Sequence, residues 1–167
     1  MIFAIGFTIY TLNDIQNKYA GEPTEKRIIS TASRYLCGIG NDSLKIRTEF
    51  IVTKTMTDSL TEYDYKSKTD STRNLKLRYW NYSQKLYFDQ TEYRISEREV
   101  LRDEQNPEIW FDNYEMSEPI IDGMSPLIFN PDYGILAITG PLNPPLLFMS
   151  KSNDKIYADR IMEVLWK

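Results

Sequence analysis

Between Asn74 and Ser96 the chain reads NLKLRYWNYSQKLYFDQTEYRIS. Two runs of aromatic and branched residues flank a polar segment near Asn81–Gln84, a pattern that predicts a β-hairpin. Alternate residues of a strand point to opposite faces. Leu75, Leu77 and Tyr79 therefore share an apolar face, with Leu86 and Phe88 able to pair with them. Lys76, Arg78, Trp80, Tyr82, Lys85 and Tyr87 fall on the other face, which is basic and aromatic. A hairpin with one greasy face cannot stand alone in water. It belongs at the centre of an antiparallel sheet, and the rest of the chain must extend that sheet or cover it.

Upstream, Leu44–Thr57 alternates, with Leu44, Ile46, Phe50, Val52 and Met56 assigned to one face. A turn at Thr57–Ser59 leads to a second strand over Leu60–Lys68, and the polar run Thr69–Arg73 reads as a loop. Four successive strands with short turns form an antiparallel meander. Thr24–Cys37 reads as a helix. Pro23 and Thr24 suit its start, Gly38 suits its C-cap, and Ile28, Ile29, Ala32, Tyr35 and Leu36 lie on one stripe. Cys37 points away from that stripe.

Glu97–Pro107 is charged and reads as a short helix or loop. Six prolines between Pro119 and Pro145 then divide the chain into short strand candidates at residues 126–129, 135–139 and 146–149. Pro131–Gly134 is expected to be a turn, and Gly140–Pro145 a proline-stiffened loop. A C-terminal helix over 154–166 places Tyr157, Ala158, Ile161, Val164 and Leu165 on one face. The fold class expected is α+β: an antiparallel meander of about four strands plus short C-terminal strands, packed by the 24–37 and 154–166 helices.

Residues 1–21 form an apolar N-terminal segment ahead of a single domain over 22–167. Met1–Leu12 carries no charged side chain, but it falls short of the roughly 20 residues that a membrane-spanning helix needs. It reads as a core helix or strand, or as a residual anchor, which would be the only membrane contact. The stretch Phe129–Leu136, FNPDYGIL, resembles small bacterial envelope proteins. The compartment expected is the cell envelope or periplasm over the cytoplasm.

The chain contains no histidine. That removes the usual general base, the Ser–His and Cys–His nucleophile pairs and the commonest transition-metal ligand. Cys37 is the only cysteine, so neither an intramolecular disulfide nor a cysteine-based zinc site can form. No phosphate-cradling glycine motif is present, and no cofactor is expected. A formal charge of −4 argues against general affinity for nucleic acid.

Two candidate sites are left. Asp112, Glu115, Glu118 and Asp122, within the acidic 108–122 loop, could supply paired carboxylates for glycoside hydrolysis. The hairpin face is the stronger candidate: Lys76, Arg78, Lys85, Trp80, Tyr82 and Tyr87, joined by Lys45 and Arg47, would suit a protein or an anionic glycan. The expectation is therefore a non-catalytic binding or interaction module, with a cell-envelope role. Its alternatives are a carboxylate-dependent hydrolase acting on carbohydrate and a small acidic immunity-type protein that neutralises a partner.

Overall fold

The computed structural model describes residues 26–40, 43–104, 106–120, 123–140, 143–151 and 154–166. The N-terminal segment 1–21 and Asp122 lie outside them.

Ten strands follow in chain order: β1 (Ile28–Gly40), β2 (Ser43–Met56), β3 (Leu60–Ser67), β4 (Leu75–Trp80), β5 (Lys85–Phe88), β6 (Thr91–Arg102), β7 (Trp110–Met116), β8 (Leu127–Asn130), β9 (Gly134–Gly140) and β10 (Asn143–Met149). Among the described residues one helix, α1 (Lys155–Leu165), follows them. Each strand pairs antiparallel with its chain neighbour, and β10 pairs back onto β1 to close a barrel. That closing seam is short, joining Tyr35–Gly38 to Leu146–Met149. The β1–β2 ladder, by contrast, runs from Ile28↔Met56 to Gly40↔Ser43.

This overturns the α+β expectation, and the 24–37 helix in particular. The Ile28–Gly40 segment, IISTASRYLCGIG, is rich in β-branched residues, which favour a strand over a helix. Its apparent helical stripe mixes residues from both faces of β1: Leu36 points into the barrel, and Tyr35 packs against the outer layer. The charged segment after Glu97 is also strand, because β6 runs to Arg102. It is bulged between Ile95 and Leu101, where Glu99 adopts a positive φ of 55°. A 3₁₀ turn at Ser71–Arg73 occupies the loop expected over 69–73. Pro144 and Pro145 sit where the β9–β10 register shifts, a place in a sheet that tolerates missing N–H donors.

The barrel wall is covered on both sides. Inside lie Phe50, Val52, Tyr63, Tyr65, Leu77, Tyr79, Leu86, Tyr114, Phe129 and Phe148, among others. Outside β8–β10 a second core packs Ile128, Leu136, Ala137 and Leu147 beneath Tyr157, Ala158, Ile161 and Leu165 of α1. Asp154 caps the helix by accepting the Tyr157 N–H at 3.0 Å. Strands apolar on both faces are what such a double layer requires. Cys37 belongs to the outer core and is fully buried, in contrast to its expected position off any packed face. Burial pushes its thiol pKa up, which makes it a poor nucleophile.

The two ends of the barrel interior differ. Toward the β2–β3, β4–β5 and β8–β9 turns, Phe129 is ringed by Tyr63, Tyr79 and Tyr114 at centroid distances of 5.5, 5.5 and 5.6 Å. The Tyr63 hydroxyl donates to the Pro131 carbonyl, closing this end. Gly134, at φ +93°, has no side chain to obstruct the Tyr65 hydroxyl, which accepts the Ile135 N–H at 2.8 Å. At the other end, beside the β3–β4 connection, the described residues leave a recess, the mouth of the barrel.

Candidate functional site

The hairpin expected from the sequence is present. Leu77 pairs with Phe88 and Tyr79 with Leu86 on the inner face; Arg78 pairs with Tyr87 and Trp80 with Lys85 on the outer face. Trp80 is 43% exposed and Tyr82, in the turn, 83% exposed. The cations of this face have carboxylate neighbours. On β3, Glu62 stands opposite Arg78 and Asp64 opposite Lys76. Cross-strand pairs of opposite charge stabilise a sheet. They also leave the face close to neutral, with Trp80 and Tyr82 as its uncommitted rings.

Lys85 and Tyr87 are engaged further by Glu92. Its carboxylate accepts from the Tyr87 hydroxyl at 2.6 Å, Lys85 Nζ at 3.1 Å, Arg94 Nε at 3.0 Å and the Ser117 hydroxyl at 2.9 Å. Hydrogen bonds to the ionised form, led by Tyr87 and followed by Arg94, Lys85 and Ser117, hold this carboxyl down to about 2 from an ordinary 4.5. The folded protein thus releases this proton more readily than the unfolded chain does. The stability this provides is complete above the unfolded value and is lost as pH falls from there through about 2. Glu92→Gln should therefore lower the thermal midpoint at neutral pH. It should also flatten the decline of that midpoint on acidification, as followed by circular dichroism. An equally steep decline in the variant would show that the four-donor cluster does not hold the carboxylate.

Asp112 and Glu115 do not converge. β7 is regular against β8 from Asp112 to Tyr114, so Asp112 and Glu115, three positions apart, point to opposite sides of the wall. Asp112 accepts the Glu99 N–H at 2.8 Å and pairs with Arg98 at 3.7 Å. Glu115 lies opposite Arg94. Among the described residues no group of three His, Cys, Asp or Glu side chains is arranged to hold a metal ion.

Lys45 and Arg47 do not join the hairpin face. A bulge in β2, where Leu36↔Thr48 gives way to Cys37↔Ile46, leaves Arg47 as the extra residue. It reverses the facing of the strand. Phe50 and Val52 are inside, whereas Ile46 is 53% exposed, correcting the single face assigned to Leu44–Met56. Arg47 is thereby brought to the barrel mouth, where it lines a recess of about 570 Å³ with Leu36, Phe50, Arg73, Leu75, Leu146 and Phe148.

Beneath the recess lies a fully buried aromatic cluster. Phe50 and Phe148 stack at 5.9 Å with an interplanar angle of 25°, and Tyr65 meets both edge-on. Sequence reasoning missed this site because its residues come from β1, β2, β10, β4 and the 3₁₀ turn. The sole local signal was Gly38, which faces Arg47. Compared with family models, curated proteins and solved structures, the chain matches none.

Proposed function

We propose that the chain is a non-catalytic binding module whose barrel mouth receives the apolar part of a small ligand. The observation that carries this reading is the recess itself: a ligand-sized volume of about 570 Å³ flanked by half-buried Leu75 and Leu146, with the fully buried rings of Phe50 and Phe148 beneath them. Closed antiparallel barrels of about eight strands or more have room inside for one small molecule. Here the aromatic packing around Phe129 fills one end and directs any ligand to the other. The hairpin face supports binding less strongly, because Glu62, Asp64 and Glu92 already stand against its cations.

Leu146 is half-buried at the mouth and packs against the inner core, so a charge there would block the recess while its head reaches water. Leu146→Glu should weaken uptake of a ten-carbon amphiphile by about tenfold or more, measured by calorimetric titration. Ile29→Glu, on the exposed outer face of β1, should leave uptake unchanged. Equal binding by the wild type and Leu146→Glu would remove the mouth as the site.

A further inference from the structure

The recess is lined asymmetrically. Its accessible walls offer the hydrocarbon of Leu75 and Leu146, whereas two guanidinium groups also line it, Arg47 from β2 and Arg73 from the turn before β4. Neither arginine is there by chance of a long side chain. The β2 bulge supplies Arg47, and Gly38 makes room for it. A Cβ at Gly38 would lie 2.7 Å from Arg47 Nε and 3.0 Å from Nη2. The guanidinium thus lies against the backbone of β1, in space that any other residue would occupy.

Arg73 is held from the other side. Its Nε contacts the Asp70 carboxylate at 3.1 Å, and that carboxylate is fixed by the Thr72 N–H at 3.0 Å and the Thr72 hydroxyl at 2.6 Å. The contact uses Nε and leaves the terminal nitrogens for another acceptor. Among the described residues, no carboxylate forms an ion pair with Arg47.

Resting on the proposal that the mouth binds a ligand, we infer that the ligand is an amphiphile with an anionic oxygen head. Its hydrocarbon lies between Leu75 and Leu146, above the buried Phe50 and Phe148, and its head, a carboxylate or a phosphate monoester, lies between Arg47 and Arg73. Guanidinium is suited to either head because its planar fork can donate two parallel hydrogen bonds. A neutral amphiphile would gain the apolar contacts alone, and a cationic one would meet two like charges.

The test compares four ten-carbon probes by calorimetric titration of the full chain: decanoate, decyl phosphate, decan-1-ol and decyltrimethylammonium. At about 50 mM salt one or both anions should bind about tenfold tighter than the alcohol, with the cation weakest, and the preference should shrink as salt is raised. Arg47→Gln and Arg73→Gln should each reduce the preference about three- to fivefold while leaving decan-1-ol unaffected. Gly38→Ala, which forces the guanidinium of Arg47 aside, should reproduce the loss seen in Arg47→Gln and add nothing to it. Equal affinity for anions and alcohol, with Leu146→Glu weakening both, would overturn the headgroup assignment and leave the barrel proposal standing. Absence of binding by every probe would overturn both.

Discussion

Replacing Phe129 by alanine is expected to destabilise the protein by about 3–5 kcal/mol, among the largest effects of any single truncation in the barrel. The ring is fully buried and meets Tyr63 and Tyr114 edge-on and Tyr79 at a tilt. Its removal forfeits the transfer free energy of an aromatic side chain and the geometry of three ring contacts. The cavity left behind cannot readily collapse. Tyr63 is tethered to the Pro131 carbonyl, and β8 is held between β7 and β9. Chemical denaturation should show a lower midpoint with an unchanged slope. A loss below about 1 kcal/mol would mean that the tyrosines close over the gap, and that this end of the barrel is more plastic than its packing implies.

Ile161→Asp is expected to be comparably severe, through the other core. Ile161 is fully buried between α1 and the outer wall. An aspartate there loses the apolar contact and must either desolvate a charge or take up a proton. About 4–5 kcal/mol is the expected cost if the helix stays docked. The cheaper response is for the helix to leave, exposing Ile128, Leu136, Ala137 and Leu147 to water. The two substitutions thus differ in signature. Phe129→Ala should reduce cooperative stability with native spectra retained, whereas Ile161→Asp should lose helical ellipticity and bind hydrophobic dyes before the strands melt. Native helical ellipticity and native stability in Ile161→Asp would contradict the double-layered arrangement.

How much of this was legible in the sequence follows from where each signal lies. The hairpin could be read because β4 and β5 alternate without interruption, so that their residues fall on the assigned faces, while Tyr82 lies in the turn between them. The C-terminal helix was legible for the same reason at a period of 3.6: Tyr157, Ala158, Ile161 and Leu165 are buried as its stripe required. β1 was not legible. Ile28, Ile29, Ala32, Tyr35 and Leu36 fit a helical stripe in a segment too short for pattern to override the ambiguity. β8–β10 are apolar on both faces, so the sequence indicated strands without indicating what each face would meet. Ring closure could not be read locally at all, because it depends on residues 35–38 meeting 146–149.

The candidate site divides in the same way. The outer-face residues were found from alternation, but the opposing Glu62 and Asp64 become visible only once β3 and β4 are in register. Arg47 was placed on the wrong surface because a bulge leaves no consistent mark in composition. Arg73 lay in a segment that looked like plain loop.

The short seam between β1 and β10 has a consequence for the order of assembly. Every other strand pair joins chain neighbours across a turn or short loop, so its contacts can form with little loss of chain entropy. The pairing of Tyr35 with Met149 spans most of the described chain, yet only four register pairs secure it. Non-local contacts of this kind form late, because the entropy of closing the loop is lost before the contacts repay it. The meander would therefore exist first as an open, curled sheet with its two end strands unpaired. Cys37, Leu147 and Met149 at the seam belong to the same outer core as α1, and α1 is synthesised after all ten strands. During synthesis the sheet must wait for α1, which acts as a clasp. A nascent chain stalled before Lys155 would hold the seam edges without their cover, the state in which unpaired strands recruit one another.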